Sequence, residues 1–441
     1  MLILVTGATG YIASRLIPRL LERGHRARIL AREPRRLDGR GWSASTEIFA
    51  GDVTSPSTLR PALEGVHTAY YLIHNMSSGR GYTERELTGA RNFTQAAAEA
   101  GVKHIIYLGG LANPEQRLPP HMRSRIETGK VLREGKVPVT EFRAGVIVGS
   151  GSISFEMIRF MTELFPVIPG PRWLKNKSQP IAVQNVIDYL LAALDNWDGH
   201  GQIFEIGGPE ITTYADLMLR YARLRGHQRR MLLLPYIPVW FMALGIDLVT
   251  PVPRPIAHAL VGGLGADSVA LRDDALRVFP EVKLLNFDAA AREALTHLHP
   301  SRIERVWESD ERVRSLKHEG FFILHGKVVG WNGTSYSQSI PPISPQSNWQ
   351  VEINDPSRLL LHRSRPFGEE WLEYAVGQIG KTRQGRTASP TSMAYYFAPR
   401  GLWGFAYWYL LYPFHTFAFR RLVRAIARKA KEPGFSERPG S

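Results

Sequence analysis

The sequence predicts an α/β protein: a doubly wound parallel sheet with a helical cap on one side, followed by a small α+β module. Three observations carry this expectation. The apolar run Leu2-Ile3-Leu4-Val5 breaks at a glycine turn and passes directly into an amphipathic segment. Strand-like and helix-like stretches then alternate, to about residue 150, at the spacing of βαβ units. Beyond His299-Pro300 the pattern changes to short alternating pieces that read as antiparallel strands. At 441 residues the chain is long for one core. The expected division is a first unit over 1–298, with its cap from about 150, a linker at 299–319, a module at 320–432 and a disordered tail at 433–441.

The opening stretch organises the rest. After Val5 comes Thr6-Gly7-Ala8-Thr9-Gly10-Tyr11-Ile12-Ala13, then a helix face of Leu16, Ile17, Leu20 and Leu21 that stops at Gly24. A second strand, Ala27 to Leu30, runs into Arg32. Strand, glycine turn, helix, strand is the dinucleotide-binding βαβ unit. Gly7 allows the tight turn, and Gly10 lets the backbone approach a pyrophosphate without a Cβ in the way. The free N–H groups of the helix that starts near Gly10 then face the phosphates. Thr6, Gly7, Thr9, Gly10, Tyr11 and Ile12 are the expected cradle, against the plainer reading of a structural βα turn.

The residues after the second strand choose the cofactor. An acid there binds the adenosine ribose hydroxyls, whereas an arginine fork holds a 2′-phosphate. Here Arg32 is followed by Glu33, Arg35, Arg36 and Arg40. NADP(H) is therefore expected, with Arg32 and Arg36 at the 2′-phosphate. A solvated basic face with Glu33 turned to the ribose is the alternative, and it leaves NAD(H) possible.

Further along, Glu47 to Thr54 reads as a third strand stopping at Asp52, where Asp52 and Val53 could meet the adenine. Ser57 to Glu64 is a short helix. Ala69 to Ile73 is a fourth strand, and its end at Ile73-His74 should border the cofactor, because ligands lie beyond the carboxyl ends of such strands. Glu84 to Ala100 is a helix closed by Gly101. His104 to Leu108 is the fifth strand, placing Leu108 and Gly109 at the same border. His121 to Glu134 is a helix, Val139 to Arg143 a strand, and Ser152 to Glu163 an amphipathic helix. From Met231 to Gly265 the chain is apolar but cut by Pro235, Pro238, Pro251, Pro253 and Pro255. That is too broken for a membrane span and reads as a helical cap, whose apolar content points to a hydrophobic substrate. Helices near Ser268 to Val278 and Asp288 to His297 close the first unit.

Composition excludes several classes. With no cysteine, disulfides, thiolate zinc sites and a cysteine nucleophile are ruled out, and no metal site is expected. The first strand begins at once, leaving no room for a signal peptide, and a cytoplasmic protein is expected. The net charge of +15 favours anionic partners: a phosphorylated cofactor, nucleic acid or acidic lipid. Arginines such as Arg15, Arg19 and Arg23 follow a helix surface, and no nucleic-acid-binding signature occurs, so no nucleic acid partner is expected.

By residue 150 the chain resembles the short-chain dehydrogenase/reductase superfamily, in its extended and atypical, NmrA-like and epimerase-like branch. The likeness rests on Thr6 to Ile12, Gly51-Asp52-Val53, Gly101 to Tyr107 and Arg143 to Gly149. It continues with Gln179 to Val186 and Phe204 to Glu210. It covers about 1–295 and implies a Rossmann sheet, an NAD(P) cofactor and oxidoreductase chemistry. The family's Tyr-x-x-x-Lys pair is where the sequence departs. Aligning Ser124-Arg125 with the family's Ser-Lys puts His121 in the tyrosine position and Arg125 in the lysine position. The fifth strand also ends in Gly109-Gly110, without the hydroxyl that orients a carbonyl. Either His121 and Arg125 form a substituted proton-transfer pair, or the domain binds the cofactor without catalysis, as a sensor or assembly protein. Tyr107 or Tyr82 acting from elsewhere is a further alternative, with a core role the simpler reading for Tyr107.

The last third resembles the DUF2867-type module, which is similar to helix-grip ligand-binding domains. The likeness lies in Glu370 to Tyr374, Ala398 to Gly404 and Tyr407 to His415. Its part before residue 350 is short, which implies a truncated grip. Leu402 to Phe419 is apolar and aromatic, and Arg420, Arg421, Arg424, Arg428, Lys429 and Lys431 follow. One reading packs this helix on the module's sheet. The other lays 402–431 on an acidic membrane surface, as a peripheral contact.

Overall fold

A computed structural model describes residues 1–37, 40–74, 81–112, 116, 118–235, 237, 240, 244, 261, 265–297, 299–300, 314–318, 321–328, 348–355, 358–376, 380–381, 387–388 and 391–429. The chain forms two compact units, dividing between Leu298 and His299 apart from short exchanged segments at 163–165 and 304–306.

The first unit is built on seven strands: β1 (Leu2–Thr6), β2 (Arg26–Ala31), β3 (Glu47–Ala50), β4 (Thr68–Tyr71), β5 (His104–Gly110), β6 (Val139–Ala144) and β7 (Ile203–Ile206). They lie in the order β7-β6-β5-β4-β1-β2-β3, and every pairing is parallel. Helices α1 (Tyr11–Glu22), α2 (Pro56–Leu63), α3 (Tyr82–Glu99), α4 (Pro120–Arg133), α5 (Ile153–Leu164) and α6 (Val183–Ala192) connect and flank them. α7 (Tyr214–Leu224), α8 (Asp274–Val278) and α9 (Phe287–Thr296) complete the unit.

The alternation of strand side chains explains why both faces are covered. On β1, Ile3 and Val5 enter one core with Leu16, Ile17 and Leu20 of α1, while Leu4 enters the other with Phe93 of α3. From β1 the chain winds outward to β2 and β3, then returns to β4 on the other side and winds the opposite way. The crevice beyond the carboxyl ends of β1 and β4 is the switch point where such sheets take ligands. Gly24 and Gly101, at φ +76° and +73°, follow the ends of α1 and α3, where a left-handed residue stops a helix at least cost.

Two expectations for the cap change. Arg230–Leu234 is a strand, paired in parallel with Val167–Pro171. Pro235 follows it, and a proline pushes the residue before it out of the helical region. Of the rest of the expected cap, 236, 238–239, 241–243, 245–260 and 262–264 lie outside the described residues. The helix expected from Ser268 shrinks to α8, because the backbone before it is held by side chains. Ala270 N–H donates to Gln179 Oε1 at 3.0 Å and Leu271 N–H to Glu205 Oε2 at 2.6 Å.

The second unit is a six-stranded antiparallel sheet. Its strands are β8 (Arg314–His318), β9 (Phe321–Val328), β10 (Gln350–Asp355), β11 (Arg358–Arg365), β12 (Gly368–Val376) and β13 (Thr391–Pro399). They lie in the order β8-β9-β13-β12-β11-β10. The stretch expected as a linker, 299–319, thus contains β8, which pairs with β9 from Arg314↔His325 to His318↔Phe321. The expected pairing of Leu359–His362 with Trp371–Ala375 is present, with His362 opposite Trp371. A single long helix, α10 (Gly401–Lys429), packs on β9 and β13. The Ser/Pro-rich 335–347 and the tail 433–441 lie outside the described residues.

One aromatic cluster anchors the first unit. The Phe142 ring, fully buried, has Tyr189, Phe204 and Phe279 at centroid distances of 5.7, 5.8 and 5.4 Å. Phe142→Ala should cost roughly 3–5 kcal/mol in urea unfolding; a cost below about 1 kcal/mol would show that the cluster can collapse around the void.

Candidate cofactor site

A cavity of about 470 Å³ lies at the carboxyl ends of β1, β2, β4 and β5. Its floor is the turn between β1 and α1. Gly7 sits at φ +71°, and a Cβ there would lie 2.5 Å from the Leu72 carbonyl oxygen that follows β4. Gly10 N–H closes the turn on the Gly7 carbonyl at 2.8 Å. Gly10 is also the N-cap of α1 and offers no side-chain acceptor. Tyr11, Ile12 and Ala13 of the first turn stand at the cavity wall, where a helix's N-terminal amides point outward, with no acid in the first turn to compete for them. The combined dipole and donors make an anion seat. Thr9 and Gly10 complete its lining.

On the β2 side the wall carries Arg32, Glu33 and Arg36. Both arginines are exposed and can swing their donors onto an anion. The other two arginines of the run do not share this role. Arg35 is not on the wall, and Arg40 is buried with its guanidinium 5.7 Å from the Trp42 ring. Asp52 and Val53 line the same end. Asp52 Oδ1 is engaged by the Thr54 amide and hydroxyl, both at 2.8 Å, which fixes the carboxylate.

On the β4–β5 side a buried polar network forms. Arg125 Nε donates to His74 Nε2 at 3.1 Å, so His74 carries its proton on Nδ1, which donates to Glu86 Oε1 at 3.1 Å. The other Glu86 oxygen accepts from the Ser124 hydroxyl. Glu86 and Ser124 are almost fully buried, and a carboxylate there requires such partners. Tyr107 donates its hydroxyl to the Arg125 carbonyl at 2.9 Å, and burial raises its pKa. Its proton is committed to α4, which disfavours it as the acid. The Tyr82 side chain lies outside the described residues.

Burial and the nearby Arg125 charge push the His74 pKa down to about 4, against the pull of Glu86. His121, 4% exposed on the same wall, is likewise lowered to about 4, by burial, then Arg125 and His74, against Glu86. Arg125 is lowered by burial and keeps its charge at neutral pH. Two neutral imidazoles and one cation therefore face this end of the cavity. Gly110 packs against α4: a Cβ there would lie 2.8 Å from Met122 Cε and 3.0 Å from Arg125 Cδ.

The cavity wall brings together Gly7, Thr9, Gly10, Tyr11, Ile12, Arg32, Arg36, Asp52, Val53, Ile73, His74, Leu108, Gly109, His121 and Arg125. Thr6, expected in the cradle, is not among them. It is fully buried, donating to the Tyr70 carbonyl at 3.1 Å and accepting from the Leu72 amide at 3.0 Å, so it ties β1 to β4. Glu86 escaped the sequence reading, although it carried a signal. It falls in the buried stripe Glu86, Ala90, Phe93, Ala97, and an acid on an apolar helix face needs an explanation. Ser152, Tyr214, Asp267 and Ser268 also line the cavity, brought in from segments without a motif.

Residues 7–135 match a family model described as NAD(P)H-binding, and 326–422 match the protein of unknown function DUF2867. The chain thus carries an NAD(P)H-binding domain over 7–135 and a DUF2867 module over 326–422. Over 274 residues it is 27% identical to a (4-alkanoyl-5-oxo-2,5-dihydrofuran-3-yl)methyl phosphate reductase of Streptomyces griseus subsp. griseus, covering 59% of this chain and 85% of that one. It is 25% identical to the photosystem II assembly factor Ycf39 of Cyanophora paradoxa, covering 55% and 74%. Among solved structures, triphenylmethane reductase of Citrobacter sp. complexed with NADP(H) aligns at TM-score 0.54 and 19% identity, over 66% of this chain and 99% of that one. The Escherichia coli NADPH-dependent quinone oxidoreductase complexed with NADPH aligns at 0.52 and 21%, with the same coverage. These structural likenesses establish the fold.

The lowered histidines give a pH signature. Their ordinary value is 6.5, and in the fold His74 and His121 titrate near 4. Between these values the unfolded chain takes up protons that the folded site refuses, so stability is full above pH 6.5 and falls as pH drops toward 4. His121→Asn should flatten the melting-temperature loss over that window by one proton's worth. An unchanged slope would place His121 in water rather than in the buried wall.

Proposed function

We propose that this protein is an NADP(H)-dependent reductase of small hydrophobic carbonyl or enone substrates. The observation that carries the reading is the arrangement along one cavity. The phosphate seat of α1 lies in the middle, Arg32 and Arg36 on the β2 flank, and Arg125, His74 and His121 on the β4–β5 flank. The glycine turn, the uncapped first turn of α1 and the exposed arginines fit a dinucleotide with a 2′-phosphate. The preference for NADP(H) follows from the two arginines, and relatives named as NADPH-dependent reductases are consistent with it. NAD(H) through Glu33 is the competing choice.

When bound, the cofactor supplies a hydride from its nicotinamide. The residues of this chain handle the oxygen. Arg125 stays cationic and directs Nε to His74, leaving its remaining donors to polarise a substrate carbonyl. His121, neutral at pH 7, donates a hydrogen bond to the developing oxyanion there, and the proton that completes reduction comes from solvent. Glu86, itself held by Ser124, fixes His74 and through it the guanidinium in one orientation. The apolar wall of Leu118, Met122 and Ile153 suits a hydrophobic substrate. Among the described residues no helix is long and apolar enough to cross a membrane, and we place the catalytic unit in the cytoplasm.

A second reading, a non-catalytic NADP(H)-binding sensor or assembly protein, is favoured by the low pKa of His121 and the glycines closing β5. NADPH oxidation against a panel of hydrophobic aldehydes, ketones, enones and quinones separates the two. On the reductase reading at least one substrate turns over, and His121→Ala lowers kcat roughly 100-fold or more. Undiminished kcat in His121→Ala discards the hydrogen-bonding role. Tight NADPH binding without turnover across the panel selects the sensor.

A further inference from the structure

The long helix of the second unit has two faces of different fate. Phe405, Trp408, Phe419 and Val423 are buried, with Trp408 stacked on Phe322 and Phe397 at centroid distances of 5.0 and 5.6 Å. On the opposite side, Trp403, Leu410, Phe414 and Phe417 stand 71, 75, 70 and 67% exposed. Their spacings of seven, four and three residues put them in one stripe. The next steps of four and three continue that stripe into Arg421 and Arg424, with Arg420 alongside. A shallow groove on this part of the helix is walled by Thr416, Phe417 and the three arginines.

We propose that this face is a peripheral anchor for an anionic lipid bilayer, lying in the plane of the head groups. Four large apolar side chains held in water are unfavourable unless something covers them. The charges indicate what does. No acidic residue occurs anywhere in Gly401–Lys429, and Arg420, Arg421 and Arg424 form no ion pair among the described residues. A second copy of the same face would bring arginines but no carboxylate to meet them. An acidic leaflet supplies phosphates beside hydrocarbon, which is the order of this stripe: aromatics at interfacial depth, then guanidinium groups at phosphate level. The helix lies on the surface rather than crossing it, since no stretch of it is apolar enough for a span and Pro413 lies in its apolar part. The anchor does not depend on the reaction proposed for the first unit, although it would hold that unit near membrane-dissolved substrates.

The test is cosedimentation of the full chain with vesicles of phosphatidylcholine alone and of equal parts phosphatidylcholine and phosphatidylglycerol. The wild type should sediment with the acidic vesicles, remain in solution with the neutral ones, and be released by salt. Replacing Arg420, Arg421 and Arg424 by Ser should weaken partition on the order of 100-fold. Leu410→Ser with Phe414→Ser should also abolish retention, and both changes lie outside the packed face, so unaltered thermal unfolding reports folded protein. Wild type that stays in solution with acidic vesicles overturns the proposal without recourse to any variant. So does partition that ignores the Leu410/Phe414 change, which would reduce the contact to charge alone. A wild-type dimer in light scattering, returned to monomer by that change, would give the face to a second copy instead.

Discussion

The ends of β1 and β4 approach each other so closely at Gly7 that a single methyl group would strike the Leu72 carbonyl. The turn must then leave β1 with positive φ, which glycine adopts without strain. That geometry starts α1 at Gly10, with its N-terminal end aimed over the sheet's switch point. Thr6 secures the approach by bonding across to the Tyr70 carbonyl and the Leu72 amide at the end of β4. The floor of the cavity is set by this contact.

The β4–β5 flank is ordered by electrostatics under low solvation. Glu86 is a buried acid whose two oxygens are taken by His74 and Ser124, and His74 in turn accepts from Arg125. Removing one member would strand a charge in an apolar wall, which costs more than the pair itself contributes. Burial, and after it the same cation, lowers both imidazoles, so a fixed positive charge stands beside two neutral rings. Such an arrangement suits stabilisation of developing negative charge on an oxygen better than storage of a proton.

Much of the first unit was legible because its signals are local. The run of glycines between an apolar strand and an amphipathic helix marks the turn that floors the cavity, and the arginine after β2 marks one of its walls. What failed to show depends on distant packing. Thr6 reads as a cradle residue until β4 lies beside it. Arg40 looks like Arg36 until Trp42 covers it. Glu86 is one acid in a helix until the stripe through Phe93 proves buried. The strand at Arg230–Leu234 needed its partner at Val167–Pro171, and the loop before α8 is shaped by Gln179 and Glu205, both far away in sequence. In the second unit, apolar and aromatic composition alone could not assign the faces of α10; the stacking of Trp408 on the sheet does so.

The most direct test of the account is calorimetric titration of the wild-type protein with NADPH and with NADH, repeated for the Arg32→Ala, Arg36→Ala double variant. One site per chain is expected, tighter for NADPH, with the double change weakening NADPH by about tenfold or more and leaving NADH nearly unmoved. No heat from either nucleotide would contradict the phosphate seat itself, and tighter NADH would contradict the role given to the two arginines.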